Sequence, residues 1–257
     1  ITNFGKAHLE GFGSEQGVIV AKSELYNYLK ANKGLIIMNS DDAKQEKQVG
    51  RYSNTFSFSE YKQASINISL LDSQPFLNVS LVDIVIKTNL VGVYNFHNIA
   101  AALAVGSFFN LTPQQLKSGI EAYVPANNRS QIIQQNSNQI LLDAYNANPS
   151  SMEVALENFK GTQNSNKLAI LGDMFELGAN SAKEHLEIVN QAILTKGCVF
   201  YFIGSLFFEQ KIAHSTFLFF ETFKELQSHL EEITISNTSI LIKGSRGMAL
   251  ERVLELI

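Results

Sequence analysis

The run Ile140-Leu141-Leu142-Asp143-Ala144-Tyr145-Asn146-Ala147-Asn148-Pro149-Ser150 begins apolar, ends its apolar part on an acid, passes through small and polar residues, and meets a proline where a helix opens. A strand buried on both faces reads this way, because a parallel sheet covered by helices needs continuous rather than alternating apolar side chains. Four similar runs follow, at 168–172, 199–204, 216–220 and 240–243, with helical patterns near 151–159, 182–195, 224–230 and 248–256. Strands separated by helices imply right-handed crossovers and a mostly parallel, doubly wound sheet whose ligands bind at the C-terminal strand ends. That rule selects Asp143, Asp173, Lys243, Ser245 and Arg246.

Upstream the character differs. A helix is expected over 14–31, a strand at 34–39, and period-2 segments at 56–59, 66–71 and 79–87, followed by a helix over 95–109 and a short one opened by Thr112-Pro113. The change falls at Pro125-Ala126-Asn127-Asn128, so two α/β domains are expected, 1–124 and 125–257, the first with an antiparallel section. The Gln/Asn-rich stretch 134–139 is short enough to be a loop or hairpin tip.

A chain of 257 residues, 45% hydrophobic and 17% charged, can bury one large core or two ordinary ones. Its net charge of -4 supplies no broad positive field for nucleic acid or an anionic membrane. One cysteine, Cys198, excludes an internal disulfide and a thiolate metal cluster and points to a reducing, cytoplasmic setting. No apolar stretch is long enough to insert in a bilayer, and no signal-peptide pattern opens the chain. Ile1-Thr2-Asn3-Phe4 reads as the end of a buried strand, which makes a fragment of a longer protein the expectation.

Several residues are candidates for chemistry. On the first long helix Ile19, Leu25, Tyr26 and Leu29 fall within an arc of about 120°, and Lys22 falls near its middle. Two roles are open: a lysine whose stem snorkels past apolar neighbours, or a buried, neutral and nucleophilic amine able to take up carbon dioxide as a carbamate. His8, in the loop before that helix, is either structural or a second ligand of a site suited to magnesium. Ser150 and Glu153 have the spacing of a capping box, which leaves Asp143, Asn146 and Asn148 unexplained; Asp143 sits where an acid would meet a ribose. Arg129, at the domain junction, is either a surface ion-pair partner or a clamp on a terminal phosphate. Lys243-Gly244-Ser245-Arg246-Gly247 is either a solvated basic turn or an anion site; no P-loop order occurs in the chain.

In order, these segments resemble the Mur ligase family of ATP-dependent ligases. The first, 1–14 with Ala21-Lys22, is similar to the family's metal segment, which implies His8 as a magnesium ligand and Lys22 as the carbamylated lysine. Gly92-Val93-Tyr94-Asn95-Phe96-His97-Asn98 is similar to the motif whose asparagines, here Asn95 and Asn98, lie by the adenine, while Arg129 corresponds to the γ-phosphate arginine and Asp143 to the ribose acid. Tyr145-Asn146-Ala147-Asn148-Pro149, Leu171-Gly172-Asp173-Met174-Phe175-Glu176-Leu177-Gly178 with His185, and 243–248 resemble the branch that adds D-alanyl-D-alanine to UDP-muramoyl-tripeptide. The resemblance implies a partial central ATPase-type domain followed by a Rossmann-like C-terminal domain. It implies substrates ATP, UDP-muramoyl-tripeptide and D-alanyl-D-alanine, an acyl phosphate intermediate, and dipeptide contacts from Asn146, Asn148, Lys243, Ser245 and Arg246. Tyr94 stands where the family commonly has histidine, Asn128 where glycine often precedes the arginine, and Leu142 where some members have a second acid. The family's UDP-sugar domain and P-loop have no counterpart, so this chain alone is expected not to turn over ATP. The competing readings are another amide ligase of the superfamily, such as a folylpolyglutamate synthetase, and a non-catalytic nucleotide-binding scaffold.

Overall fold

A computed structural model describes residues 1–5, 9–73, 76–126, 128–162 and 164–257. The chain divides into two compact units, one of residues 1–5 and 12–124, the other containing 9–11 and 125–257.

After a short α1 (Leu9–Phe12), the first unit runs α2 (Glu15–Ala31), β1 (Ile36–Asn39), α3 (Ala43–Val49), β2 (Thr55–Ser59), β3 (Ile66–Asp72), β4 (Asn78–Leu81), β5 (Ile84–Lys87), α4 (Tyr94–Phe108) and α5 (Pro113–Ala122). Its sheet has the order β1-β2-β3-β4-β5; the first three strands are parallel, and β4 and β5 are added antiparallel. The expected single segment over 79–87 is therefore a hairpin, broken where Val82 takes φ 55°. Ile68, Leu77, Val79 and Ile86 pack with Phe96, Ile99 and Leu103 of α4, an aromatic-aliphatic core that fixes α4 to one sheet face.

Residues 1–5 form no strand, contrary to the expectation; Thr2 and Asn3 are exposed, and only Phe4 is buried, edge-on to Tyr26. On α2 the apolar face is carried by Val18 and Tyr26, while Leu25, assigned to that face above, is 49% exposed. Lys22 lies between Val18 and Tyr26, one turn from each, and is half-buried.

The second unit continues with β6 (Gln131–Gln135), β7 (Asn138–Asp143), α6 (Pro149–Lys160), β8 (Lys167–Gly172), α7 (Ser181–Ile193), β9 (Cys198–Ile203), α8 (Ser205–Phe208), β10 (Phe217–Phe220), α9 (Phe223–Glu231) and β11 (Ser239–Lys243). Its sheet order is β10-β9-β8-β11-β7-β6, all parallel except the edge strand β6. Every residue of β11 is buried, and so are the last five of β8. Both faces are covered, which is why these strands appear in the sequence as uninterrupted apolar runs. The 134–139 stretch is the tip of the β6–β7 hairpin.

The segment 248–256 departs from the expected α-helix. It forms two 3-10 turns, Arg246–Met248 and Leu250–Leu256, separated by Ala249 in the left-handed region at φ 49°, where an α-helix cannot continue. Among the described residues no helix is long and apolar enough to cross a membrane.

Candidate functional site

Strand order decides where the second unit can bind a ligand. The chain proceeds from β8 outward to β9 and β10, then returns to insert β11 between β8 and β7. Loops leaving β7, β8 and β11 at their C-terminal ends therefore diverge from neighbouring points, and the gap between them is the site such sheets offer. A cleft of about 110 Å³ lies there, lined by Asn146, Ala147 and Asn148 after β7, Phe175, Glu176 and Leu177 after β8, and Ser245, Arg246 and Gly247 after β11.

The structure thus brings Asn146, Asn148, Ser245 and Arg246 to one cleft. Asn148 does two things. It is the N-cap of α6: its Oδ1 accepts the Ser151 N–H at 2.9 Å, Ser151 Oγ accepts the Asn148 N–H at 3.1 Å, and Pro149 occupies the first helical turn. The capping box is therefore Asn148 with Ser151, not Ser150 with Glu153, because the helix begins at Pro149, earlier than the periodicity indicated. Arg246 is the exposed cation of the cleft, and its Nη1 lies 2.7 Å from Glu251 Oε1.

Lys243 and Asp173 stand behind the cleft, not in its wall. Lys243 is 2% exposed; its Nζ donates to Asp143 Oδ2 at 2.6 Å and to the Asn146 carbonyl at 3.2 Å. A buried ammonium is tolerated only with such partners, and these bind the end of β11 to the loop after β7. The Ser130 N–H donates to Asp143 Oδ1 at 3.1 Å, so both oxygens of that acid are engaged inside the unit. Asp173, 2% exposed, accepts the N–H groups of Leu206 and Phe207 at 3.1 and 2.9 Å and thereby caps α8. Gly204, at φ 116°, is where that carboxylate passes; a Cβ there would stand 2.2 Å from Asp173 Oδ2. Burial raises the Asp173 carboxyl above its ordinary range while the two backbone donors pull it down. Ser245 is also an internal tie, its buried Oγ accepting the Phe175 N–H at 2.8 Å.

Arg129 is exposed, with its guanidinium 3.6 Å from the centre of the Tyr145 ring. Stacking holds the planar fork without consuming its donors. Asn128 before it has φ 58°, a conformation asparagine accepts at low cost.

In the first unit, Asn95 and Asn98 occupy the first turns of α4. Asn95 is buried, donates to the Val91 carbonyl at 2.8 Å and accepts from Asn98 Nδ2 at 3.0 Å, while Asn98 is exposed. Lys22 Nζ donates to the Asn3 carbonyl at 3.0 Å, and burial lowers its affinity for a proton. His8 and Asn127 lie outside the described residues. Among the described residues, no three His, Cys, Asp or Glu side chains are grouped to hold a metal.

Phe175, Glu176 and Leu177 supply one wall, yet composition gave them no role; only the resemblance marked their segment. Glu176 has φ 63°, a conformation that a non-glycine residue keeps only when its surroundings impose it.

Residues 1–106 match the Mur ligase middle domain, and residues 128–246 match the domain described as Mur ligase, glutamate ligase domain. The UDP-N-acetylmuramoyl-tripeptide–D-alanyl-D-alanine ligase of Bacillus subtilis is 27% identical over 99% of the chain and 58% of its own length. The enzyme of that name from Escherichia coli is 30% identical over 100% of the chain and 59% of its own length. Among solved structures, MurF from Acinetobacter baumannii superposes with a TM-score of 0.84 at 25% identity, over 99% of this chain and 58% of that one. The Thermotoga maritima MurF ligase in complex with ADP has the same fold, with a TM-score of 0.82 at 23% identity over 99% of this chain and 60% of that one. The chain spans 58% and 59% of the two curated relatives' lengths. With middle-domain and C-terminal-domain matches in sequence, in the expected order and on the observed folds, the chain belongs to the Mur ligase family.

Proposed function

We propose that, within the native gene product, this chain serves an ATP-dependent ligase that joins D-alanyl-D-alanine to UDP-N-acetylmuramoyl-tripeptide, and that the cleft of the second unit receives the dipeptide. The observation that carries this reading is the convergence of three strand ends on one cleft bearing two asparagines and an exposed arginine. Amide groups and a guanidinium are what a zwitterionic dipeptide needs: acceptors for its ammonium and donors for its carboxylate. Relatives named for that reaction match the chain over nearly all of its length.

The reaction proceeds in two displacements. An oxygen of the tripeptide carboxylate attacks the γ-phosphorus of ATP, the bond to ADP breaks, and an acyl phosphate forms. The neutral amine of D-alanyl-D-alanine then attacks the acyl carbon; phosphate departs with the C–O bond electrons, and the nitrogen loses its proton. Arg129, oriented on Tyr145, would meet the γ-phosphate with its planar donors; Asp143 would accept from the ribose, and Asn95 and Asn98 would border the adenine.

Lys22 fits the carbamate that the family implies. Desolvation lowers its proton affinity, and the free amine this favours is the form that reacts with carbon dioxide. The carbamate, with His8, would present a ligand set suited to magnesium, which supplies charge stabilisation where two anions meet. The test is phosphate release by the native gene product given ATP, UDP-muramoyl-tripeptide and D-alanyl-D-alanine. Lys22→Ala should lower the rate by about 100-fold or more; equal rates for variant and wild type would remove the role assigned to this lysine.

A further inference from the structure

Three consecutive residues of the loop after β8 are held from within the second unit. The Asp173 carbonyl accepts the Ser245 N–H at 3.1 Å, the Met174 N–H donates to Nε2 of His185 at 3.0 Å, and the Phe175 N–H donates to Ser245 Oγ at 2.8 Å. Ser245 and Phe175 line different walls of the cleft, so these bonds set its width. The middle bond is the only one of the three made by a titratable side chain.

His185, on α7, is fully buried, and its ring packs edge-on to Phe207 at 4.6 Å between centres. Its Nδ1 lies 2.7 Å from the Ser181 carbonyl, which can only accept. The ring proton is thereby assigned to Nδ1, leaving Nε2 as an acceptor for Met174. The charged groups around the ring are the Asp173 carboxylate, 3.9 Å from Nε2, Glu184 on the same helix, and Glu209 beyond α8. The Asp173 approach would be an ion pair only with a charged ring, and a charged ring would have no lone pair for the Met174 N–H. Desolvation is the strongest influence and lowers the ring's proton affinity, in keeping with the neutral form.

We infer that His185 is a positioning residue: its unprotonated Nε2 fixes the 174–177 wall of the cleft, and dipeptide affinity depends on that wall. The second half of the inference rests on the function proposed above; the first does not.

The test uses the native gene product with His185→Leu, which removes the acceptor, and His185→Gln, whose side-chain oxygen can replace Nε2 without titrating. Amide hydrogen exchange at Met174, without substrate, reads the wall. For His185→Leu, exchange should accelerate about tenfold or more, and KM for D-alanyl-D-alanine should rise about fivefold or more while KM for ATP stays within about twofold. His185→Gln should restore both. It should also remove a rise in dipeptide KM that the wild type shows only as pH falls below the ordinary histidine range, because desolvation lowers the ring's proton affinity. If His185→Leu leaves Met174 exchange unchanged, or if His185→Gln keeps the wild-type pH profile, the inference is overturned. Should His185→Leu fail to fold, the pH comparison of wild type with His185→Gln decides. Accelerated exchange in a protein that does not use the dipeptide would retain the positioning role and discard the proposed substrate.

Discussion

Lys243 shows how one residue can shape a cleft without lining it. A fully buried ammonium costs several kcal/mol unless its partners are close, and here one partner ends β7 and the other belongs to the loop after it that lines the cleft. Lys243→Met should therefore destabilise the second unit by roughly 3 kcal/mol, since it leaves Asp143 short of a donor in a mostly buried position. Adding Asp143→Leu should recover much of that loss; urea unfolding of the single and double variants measures both. Gly204→Ala is the other sharp case. Left-handed backbone strain and a collision with the Asp173 carboxylate act together, so a loss of about 2 kcal/mol or more is expected in the same assay. The strand-end rule found Asp143, Asp173, Lys243, Ser245 and Arg246 in the sequence. It could not separate those that face the cleft from those that hold it, because that depends on which neighbouring strand each side chain meets.

At the scale of elements, α6 joins architecture to chemistry. Asn148 caps the helix through its oxygen and borders the cleft as well. Asn148→Asp keeps a capping acceptor but loses the amide donors and adds a negative charge beside the cleft. Unfolding stability should stay within about 0.5 kcal/mol of wild type, whereas dipeptide KM should rise. Asn148→Ala should cost about 1 kcal/mol as well. Among the elements themselves, β8 and β11 were legible because parallel strands buried on both faces leave unbroken apolar runs. The edge strand β6 was not, since four residues of its Gln131–Gln135 span are only partly buried and one is exposed, and three are glutamines. The helices α3 and α8 are seven and four residues long, too short for helical periodicity to show. The last segment had helical spacing but tightened into 3-10 turns around Ala249, a backbone choice that apolar periodicity does not encode.

At the scale of the whole molecule, two buried acids, one in each unit, have ionisations that folding opposes strongly. Burial pushes the Cys198 thiol of the second unit up to about 12 from 9.0, and the Tyr26 hydroxyl of the first unit up to about 12 from 10.0. With folded values above unfolded ones, the stabilisation is complete below the unfolded values and disappears as pH rises toward the folded ones. The contribution of these two groups to stability should therefore be level up to about pH 9 and decline between about 9 and 12. Cys198→Ala should flatten the lower part of that decline, and the native thiol should react with an aromatic disulfide reagent roughly 100-fold more slowly than in urea.

The central claim is that the strand-end cleft of the second unit receives the amine substrate. It is tested most directly by the KM for D-alanyl-D-alanine of the native gene product carrying Arg246→Ala. The predicted result is an increase of about tenfold, corresponding to ~1.4 kcal/mol of lost binding, with KM for ATP unchanged. An unchanged dipeptide KM, or an equal rise in KM for ATP, would contradict it.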